Sequence, residues 1–229
     1  MTPSLPALDN SNLWDRTYAI LKDKIVRRQF DLDKKLSIPD IAGQLNVSRT
    51  PVRDALNRLE AEGLVVTRSK VGTYVVPIDE ERVDNAMDTR LMIELWVARK
   101  LPECPADRFD AAVLKMKAIV FEAANAYPKQ PYLYHENDYN LHFHQEYVHS
   151  GGNSANDRFY QAAMNYRLPV TTPEMVDPGE VETAIRQHGE MLEAFSERDS
   201  AKLEKLLTEH LVDSKERIIQ KIRRNGGTI

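Results

Sequence analysis

The sequence predicts a mainly α protein in two parts: a small N-terminal helical unit closed by a β-hairpin, then a larger all-α bundle. Three observations predict it. Apolar residues recur at helical spacing over most of the chain. The period changes only once, over residues 64–76, to two short β-prone runs. Charge is divided unevenly: residues 1–78 carry 12 Lys/Arg against 9 Asp/Glu, while the remainder has a balance of −7 within a net charge of −4. These shifts place a domain boundary between 1–78 and 79–229.

Residues 1–11 are rich in Pro and Ser and are expected to form a loose arm. From Leu13 to Arg28, the positions Leu13, Tyr18, Ile20, Leu21, Ile25 and Val26 give a first amphipathic helix. Asp31 to Lys35 reads as a turn. Ser37 is a good N-cap for a short helix ending at Leu45, with Asp40 three residues on and Pro39 tolerated in the first turn. Asn46 and Val47 make a tight connection to Ser48, which caps the next helix. That helix is expected to stop near Glu62, because Gly63 is a favourable residue just past a helix end. Leu64–Thr67 and Thr73–Val76 are the two β-prone runs, joined by the polar, Gly-containing segment Arg68–Gly72. Helix, short helix, turn, helix and hairpin is the order of a winged helix-turn-helix. Beyond Pro77-Ile78-Asp79, helices are expected at about 80–101, 106–126, 132–150, 153–168, 178–197 and 199–224. Pro102, Pro105, Pro128, Pro131, Gly151-Gly152 and Pro169 to Pro178 punctuate them.

Composition narrows the class. Hydrophobic residues make up 42% and charged residues 29%, as in a soluble globular protein. No run of 18 apolar residues offers a membrane span, and Met1 to Pro6 lack the basic leader and apolar core of a signal peptide. Cys104 is the single cysteine, so no intramolecular disulfide is expected. A reduced cytoplasmic compartment, with no membrane partner, fits these features.

The most informative segment is Ser48-Arg49-Thr50-Pro51-Val52-Arg53-Asp54-Ala55-Leu56. On a helix, Val52, Leu56 and Leu59 face inward, while Arg49 and Arg53, four apart, share the outward face. Both arginines fall in the first turn and a half, the part of a recognition helix that enters a major groove. Ser48 and Thr50 sit where free backbone N–H groups meet phosphate, and arginine reads guanine O6 and N7 through two hydrogen bonds. In the hairpin, Arg68 and Lys70 are placed to reach phosphate or the minor groove, and Gly72 to let the backbone approach closely. Ile41 to Leu56, with Leu59-Glu60-Ala61-Glu62-Gly63-Leu64-Val65, resembles the GntR family signature over about residues 16–77. The resemblance implies that Arg49 and Arg53 contact double-stranded operator DNA and that a wing glycine sits at the hairpin tip. Two departures from the family pattern stand out: Gln29 and Asp33-Lys34 occupy the stretch of a Gly and a Pro-Gly turn, and Pro39 stands where some members carry a DNA-contacting Arg.

Of six histidines, four lie at 135, 142, 144 and 149 on one predicted helix. His142 and His144 point about 200° apart, so they cannot serve one site, whereas Asn140 and His144 share a face. His188 and His210 lie on two later helices. Three imidazoles and one oxygen from helices facing one core would suit zinc or another divalent first-row metal, nickel and manganese included. By spacing alone, structural or surface histidines account for the pattern as well. Phe143-His144 through Ser150-Gly151-Gly152-Asn153 resembles the FHxxI…SGN element of the FCD sensor domain of the FadR-type branch of that family. Gln187 to Phe195 with Arg198-Asp199, and Glu209-His210, resemble its second and third histidine elements. The resemblance implies a metal set of Asn140, His144, His188 and His210, with Asn140 standing where Asp is usual. It also makes Arg90, in Thr89-Arg90-Leu91-Met92-Ile93-Glu94, a partner for the carboxylate of a small organic-acid effector, and Arg167 a second one.

The expectation is therefore a ligand-responsive transcription regulator, working as a homodimer on a pseudo-palindromic operator, not an enzyme. Two rivals stand beside it. One is a regulator whose histidines are structural and whose effector is apolar or acyl. The other is a metalloenzyme fused to a DNA-binding module.

Overall fold

The computed structural model describes residues 11–166 and 176–228. The chain divides into two compact units between Pro77 and Ile78.

In the first unit, α1 (Ser11–Val26), α2 (Ile38–Leu45) and α3 (Arg49–Ala61) precede a two-stranded antiparallel sheet of β1 (Val65–Arg68) and β2 (Gly72–Val75). Leu21 and Ile25 from α1, Ile41 from α2, and Val52, Leu56 and Leu59 from α3 close one core with Leu64, Val65 and Val75. Those spacings of three and four are what turn α3 inward along one side only. Ser37 caps α2 by accepting from the Asp40 N–H at 3.4 Å. Asn46, left-handed at φ 51°, ends it and allows the tight turn into α3.

Ser48 occupies the N-cap of α3 with extended backbone, but its hydroxyl makes no capping bond. A capping hydroxyl can take the N–H of the second or third helical residue; Pro51, the third, has none, which leaves the Thr50 N–H as the one such group available.

The strands pair Val65 with Val75 and Arg68 with Gly72. Lys70 sits in the turn at φ 62°, whereas Gly72 is the first residue of β2 rather than the hairpin tip. Gly72 has φ 151°, and a Cβ there would lie 3.2 Å from the Lys35 side chain. Its lack of a side chain thus serves packing of the wing against the segment before α2, where the Leu36 N–H also bonds Thr73 O at 2.8 Å.

The second unit contains α4 (Glu80–Lys100), a 3-10 turn (Leu101–Glu103), α5 (Ala106–Ala126), α6 (Leu133–Glu136) and α7 (Tyr139–Ser150). It continues with α8 (Ser154–Ala163), a second 3-10 turn (Met164–Tyr166), α9 (Pro178–Ser196) and α10 (Ser200–Arg224). Asp79, Asn153, Asp177 and Asp199 cap α4, α8, α9 and α10 through their side chains. The helix expected over 132–150 is two helices, broken at Asp138, which is left-handed at φ 49°. Asp tolerates that conformation better than most residues. A single-turn α6 leaves too short a pattern for the change of phase to be read from the sequence. The helix expected over 153–168 is replaced from Met164 by the 3-10 turn, and Arg167 and Leu168 lie outside the described residues.

α4 packs on α10 and α8, α5 on α7 and α9, and α9 on α10. Ile93, Val97, Met116, Phe143, Tyr147, Tyr160, Phe195, Leu203 and Leu207 fill the centre. Among the described residues, no helix is long and apolar enough to cross a membrane.

Candidate functional site

The first unit presents an exposed basic face. Ser48, Arg49, Thr50 and Arg53 are all exposed on the N-terminal half of α3, and Arg68 and Lys70 are exposed on the wing. Several other cations of this unit are held in pairs. Arg58 meets Asp15 at 2.9 Å, Lys22 meets Glu62 at 2.6 Å, and Arg27 meets Asp23 at 2.7 Å. Among the described residues, Arg49, Arg53 and Lys70 make no such pair. Arg68 lies 5.1 Å from the ring centre of Tyr74.

The second unit buries a histidine centre. His144 on α7, His188 on α9 and His210 on α10 are 0%, 3% and 2% exposed. One ring nitrogen from each lies within 4.8 Å of the others. The Nε2 atoms of His144 and His210 are 3.2 Å apart. Two imidazoles on one tetrahedral zinc, with bonds of about 2.0–2.1 Å, hold their nitrogens about 3.3 Å apart.

Each imidazole is held from behind by its Nδ1. His144 Nδ1 lies 2.9 Å from Glu94 Oε2, His210 Nδ1 lies 2.8 Å from Gln187 Oε1, and His188 Nδ1 lies 3.4 Å from the Tyr134 hydroxyl. An Nδ1–H that donates outward leaves the Nε2 lone pair facing inward, which is the tautomer a metal needs. His188 Nε2 is buried with no hydrogen-bond partner. Phe143 stacks on its ring at 4.3 Å and fixes the plane. Burial holds all three histidines below the usual imidazole range, so they are neutral ligands at neutral pH. The donor set therefore fits a divalent first-row cation. Asn140 lies on α7 one turn before His144 and is partly buried.

Glu94 is fully buried yet ionised. Burial alone would raise its pKa, but His144 and Arg90 outweigh this and hold it at about 2. Its other oxygen, Oε1, lies 3.2 Å from Arg90 and accepts from the Tyr160 hydroxyl at 2.9 Å. Arg90 is 6% exposed, so the expected effector partner is a buried half of an ion pair. Its Nε nevertheless has no partner. The sequence reading missed Tyr134, Tyr160 and Gln187, and missed that Glu94 reaches His144. Glu94 one turn after Arg90, and Gln187 next to His188, were the available signals. Nothing local marks the two tyrosines.

Comparison with known proteins gives a consistent result. Residues 13–75 match the family described as "Bacterial regulatory proteins, gntR family", and residues 85–213 match the FCD domain. The chain is 26% identical to the HTH-type transcriptional repressor GlaR of Escherichia coli (strain K12), over 85% of this chain and 90% of that protein. It is 27% identical to the Exu regulon transcriptional regulator of the same strain, over 89% and 83%. The solved structure of E. coli McbR/YncC shares the fold, with a TM-score of 0.76 at 18% identity over 91% of this chain and 98% of that one.

Proposed function

From the premise that this chain belongs to the GntR family and carries its FCD domain, we propose that it acts as a homodimer whose grip on operator DNA is set by a small carboxylate at a metal centre. The chain is a DNA-binding, effector-responsive transcriptional regulator, and its families and relatives are regulators rather than enzymes. A regulator that works on DNA acts in the cytoplasm of a bacterium.

For DNA reading, the supporting observation is that Arg49 and Arg53 are exposed on the leading half of α3 without ion-pair partners, whereas Lys22 and Arg58 of the same unit are paired. α3 enters the major groove by its N-terminus, where Arg49 and Arg53 meet base edges. The first-turn N–H groups, which the Ser48 side chain leaves free, meet phosphate beside Ser48 and Thr50. Arg68 and Lys70 add backbone contacts. Gly72, at the start of β2, lets the wing backbone approach the DNA closely. In a dimer the two α3 helices read half-sites about 34–36 Å apart.

For effector sensing, the supporting observation is the convergence of three Nε2 atoms whose Nδ1 atoms are all held by other side chains. His144, His188 and His210 hold the cation, zinc being the best match, with Asn140 as a neutral oxygen ligand. The cation supplies positive charge for a carboxylate. Arg90, beside the centre, supplies a second positive charge. α4 begins at Glu80, three residues past Pro77, and carries both Arg90 and Glu94. A ligand that favours one position of α4 would favour one state of the regulator, in proportion to its differential affinity for the two.

The test has two arms. Duplexes selected from a random library by the wild-type protein should contain an inverted repeat. A thermal-shift screen of small carboxylates should give stabilisation only after zinc loading. Selection of no common sequence would remove the DNA assignment, and stabilisation independent of metal would remove the metal-assisted pocket.

A further inference from the structure

The wing is a two-stranded ribbon, and such a ribbon is at best marginally stable by itself. It needs an anchor if Arg68 and Lys70 are to meet DNA in a fixed place. In the antiparallel pairing Thr67 stands opposite Thr73. The Thr67 N–H turns out of the ribbon and donates to Glu60 Oε1 on α3 at 2.6 Å. The Thr73 carbonyl turns out on the other side and accepts the Leu36 N–H at 2.8 Å. This rung is thus tied at both outer edges, to α3 through Glu60 and to the segment before α2 through Leu36.

The Glu60 tie is double. Its second oxygen, Oε2, accepts from the Thr67 hydroxyl at 3.0 Å, and the Thr67 and Thr73 hydroxyls lie 3.1 Å apart. Because the Thr67 proton is committed to the carboxylate, the Thr73 hydroxyl is the donor across the ribbon. Arg68 follows the rung directly and Lys70 sits in the turn beyond it, so both wing cations extend from this anchored point. Glu60 and Thr67 are exposed, so the tie lies outside the core. Helical period places Glu60 on the face of α3 that carries Arg49 and Arg53, about two turns beyond Arg53. An acidic group on a DNA-reading face works against phosphate binding, so its presence there calls for a separate benefit.

We propose that Glu60 is a positioning residue for DNA recognition: it fixes the wing against α3, so that Arg68 and Lys70 reach the DNA backbone while Arg49 and Arg53 reach base edges. This rests on the DNA reading above and deepens it, because it says how two separate contact elements act on one duplex together. Without Glu60 the ribbon is held at the Leu36 edge alone. Ordering the wing on DNA then costs entropy that the tied wing has already given up.

The experiment measures binding of full-chain variants to the duplex selected by the wild-type protein, by fluorescence anisotropy across a salt series, with melting temperature as a check on folding. Glu60→Ala should weaken binding about three- to tenfold and lower the slope of log affinity against log salt by about 1–2, the share of the wing cations. Lys70→Ala should weaken the wild type but add little to Glu60→Ala, whereas Arg49→Ala should cost the same in both backgrounds. Glu60→Gln should bind at least as tightly as wild type, since its amide oxygen can accept the Thr67 N–H and its NH2 can donate to the Thr67 hydroxyl. If charge alone mattered, both Glu60 variants would instead bind alike and more tightly than wild type. Thr67→Val, which removes only the hydroxyl bonds, should fall between wild type and Glu60→Ala, and serves where the alanine variant does not fold. If Lys70→Ala costs as much beside Glu60→Ala as in wild type, or Glu60→Gln fails to restore binding, the Glu60 assignment is overturned and the DNA reading stands. If Arg49→Ala leaves wild-type binding unchanged, the DNA reading itself fails and this assignment falls with it.

Discussion

His144 and Glu94 face each other at 2.9 Å between Nδ1 and Oε2, and neither side chain has any exposed surface. The same carboxylate takes Arg90 and Tyr160 on its other oxygen. One buried anion therefore orients a candidate metal ligand and neutralises a buried cation. Glu94→Gln keeps the shape but removes the charge, leaving the Arg90 guanidinium unpaired in the core. Breaking a buried pair from one side costs about 3–5 kcal/mol, and loss of a partner behind a metal-bound histidine lowers metal affinity about 10–100-fold. Urea unfolding reads the first effect and competition with a chromophoric zinc chelator reads the second. A variant as stable and as zinc-avid as wild type would remove Glu94 from this role.

Zinc should raise the melting temperature of chelator-treated protein. At a free zinc concentration 100 times Kd the gain is about 2.7 kcal/mol. His188→Ala should abolish it, since His188 contributes the Nε2 that has no partner within the protein. Equal zinc stabilisation of wild type and His188→Ala would show that the metal binds elsewhere.

Acid should destabilise the protein from below pH 6.5. Burial, with Lys221 nearby, lowers the pKa of His135 to about 4 from an ordinary value of 6.5. The unfolded chain therefore takes up a proton at this position before the folded one does, and stability falls as pH drops from 6.5 towards 4. His135 contributes roughly 2–3 kcal/mol to that loss. The three histidines of the centre act in the same direction, so His135→Gln should flatten the slope of stability against pH over this window without abolishing it. Denaturant midpoints at pH 7, 5.5 and 4.5 would show this, and an unchanged slope would contradict it.

Arg49→Ala and Arg53→Ala should each weaken binding to the selected duplex at least about tenfold and relax base preference at one position, with little change in melting temperature. Both side chains are exposed and unpaired, so the folded unit loses no contact with them. Lys70→Ala should instead weaken binding to all duplexes alike and reduce the slope of log affinity against log salt by about 1. Fluorescence anisotropy across a salt series separates the two kinds of effect.

Residues near in sequence were enough to define the DNA-binding unit. Val52, Leu56 and Leu59 face the core of α3 and Arg49 and Arg53 face out because helical period alone assigns those faces. Ser37, Gly63 and the two β-prone runs mark ends and turns through local chemistry. The same kind of signal placed His144, His188 and His210 on three helices. It failed where distant contacts decide the outcome. The break at Asp138 interrupts a pattern too short to show it. Pro51 removes one of the two N–H groups that the Ser48 hydroxyl could cap, a consequence readable from the sequence.

The sequence by itself determined which residues have the chemistry of candidate ligands and which helices carry them, since a side chain's chemistry and its face on a helix are local properties. Only the tertiary structure decided that Glu94, Gln187 and Tyr134 stand behind the three imidazoles, that Arg90 pairs with Glu94 while its Nε keeps no partner, and that Asn165 is buried without a partner. Those facts depend on segments as far as 54 residues apart, as between Tyr134 and His188, meeting in one core. No local propensity encodes which buried polar atom meets which. The packing of the bundle sets it, and the cost of an unpaired group inside makes the result informative.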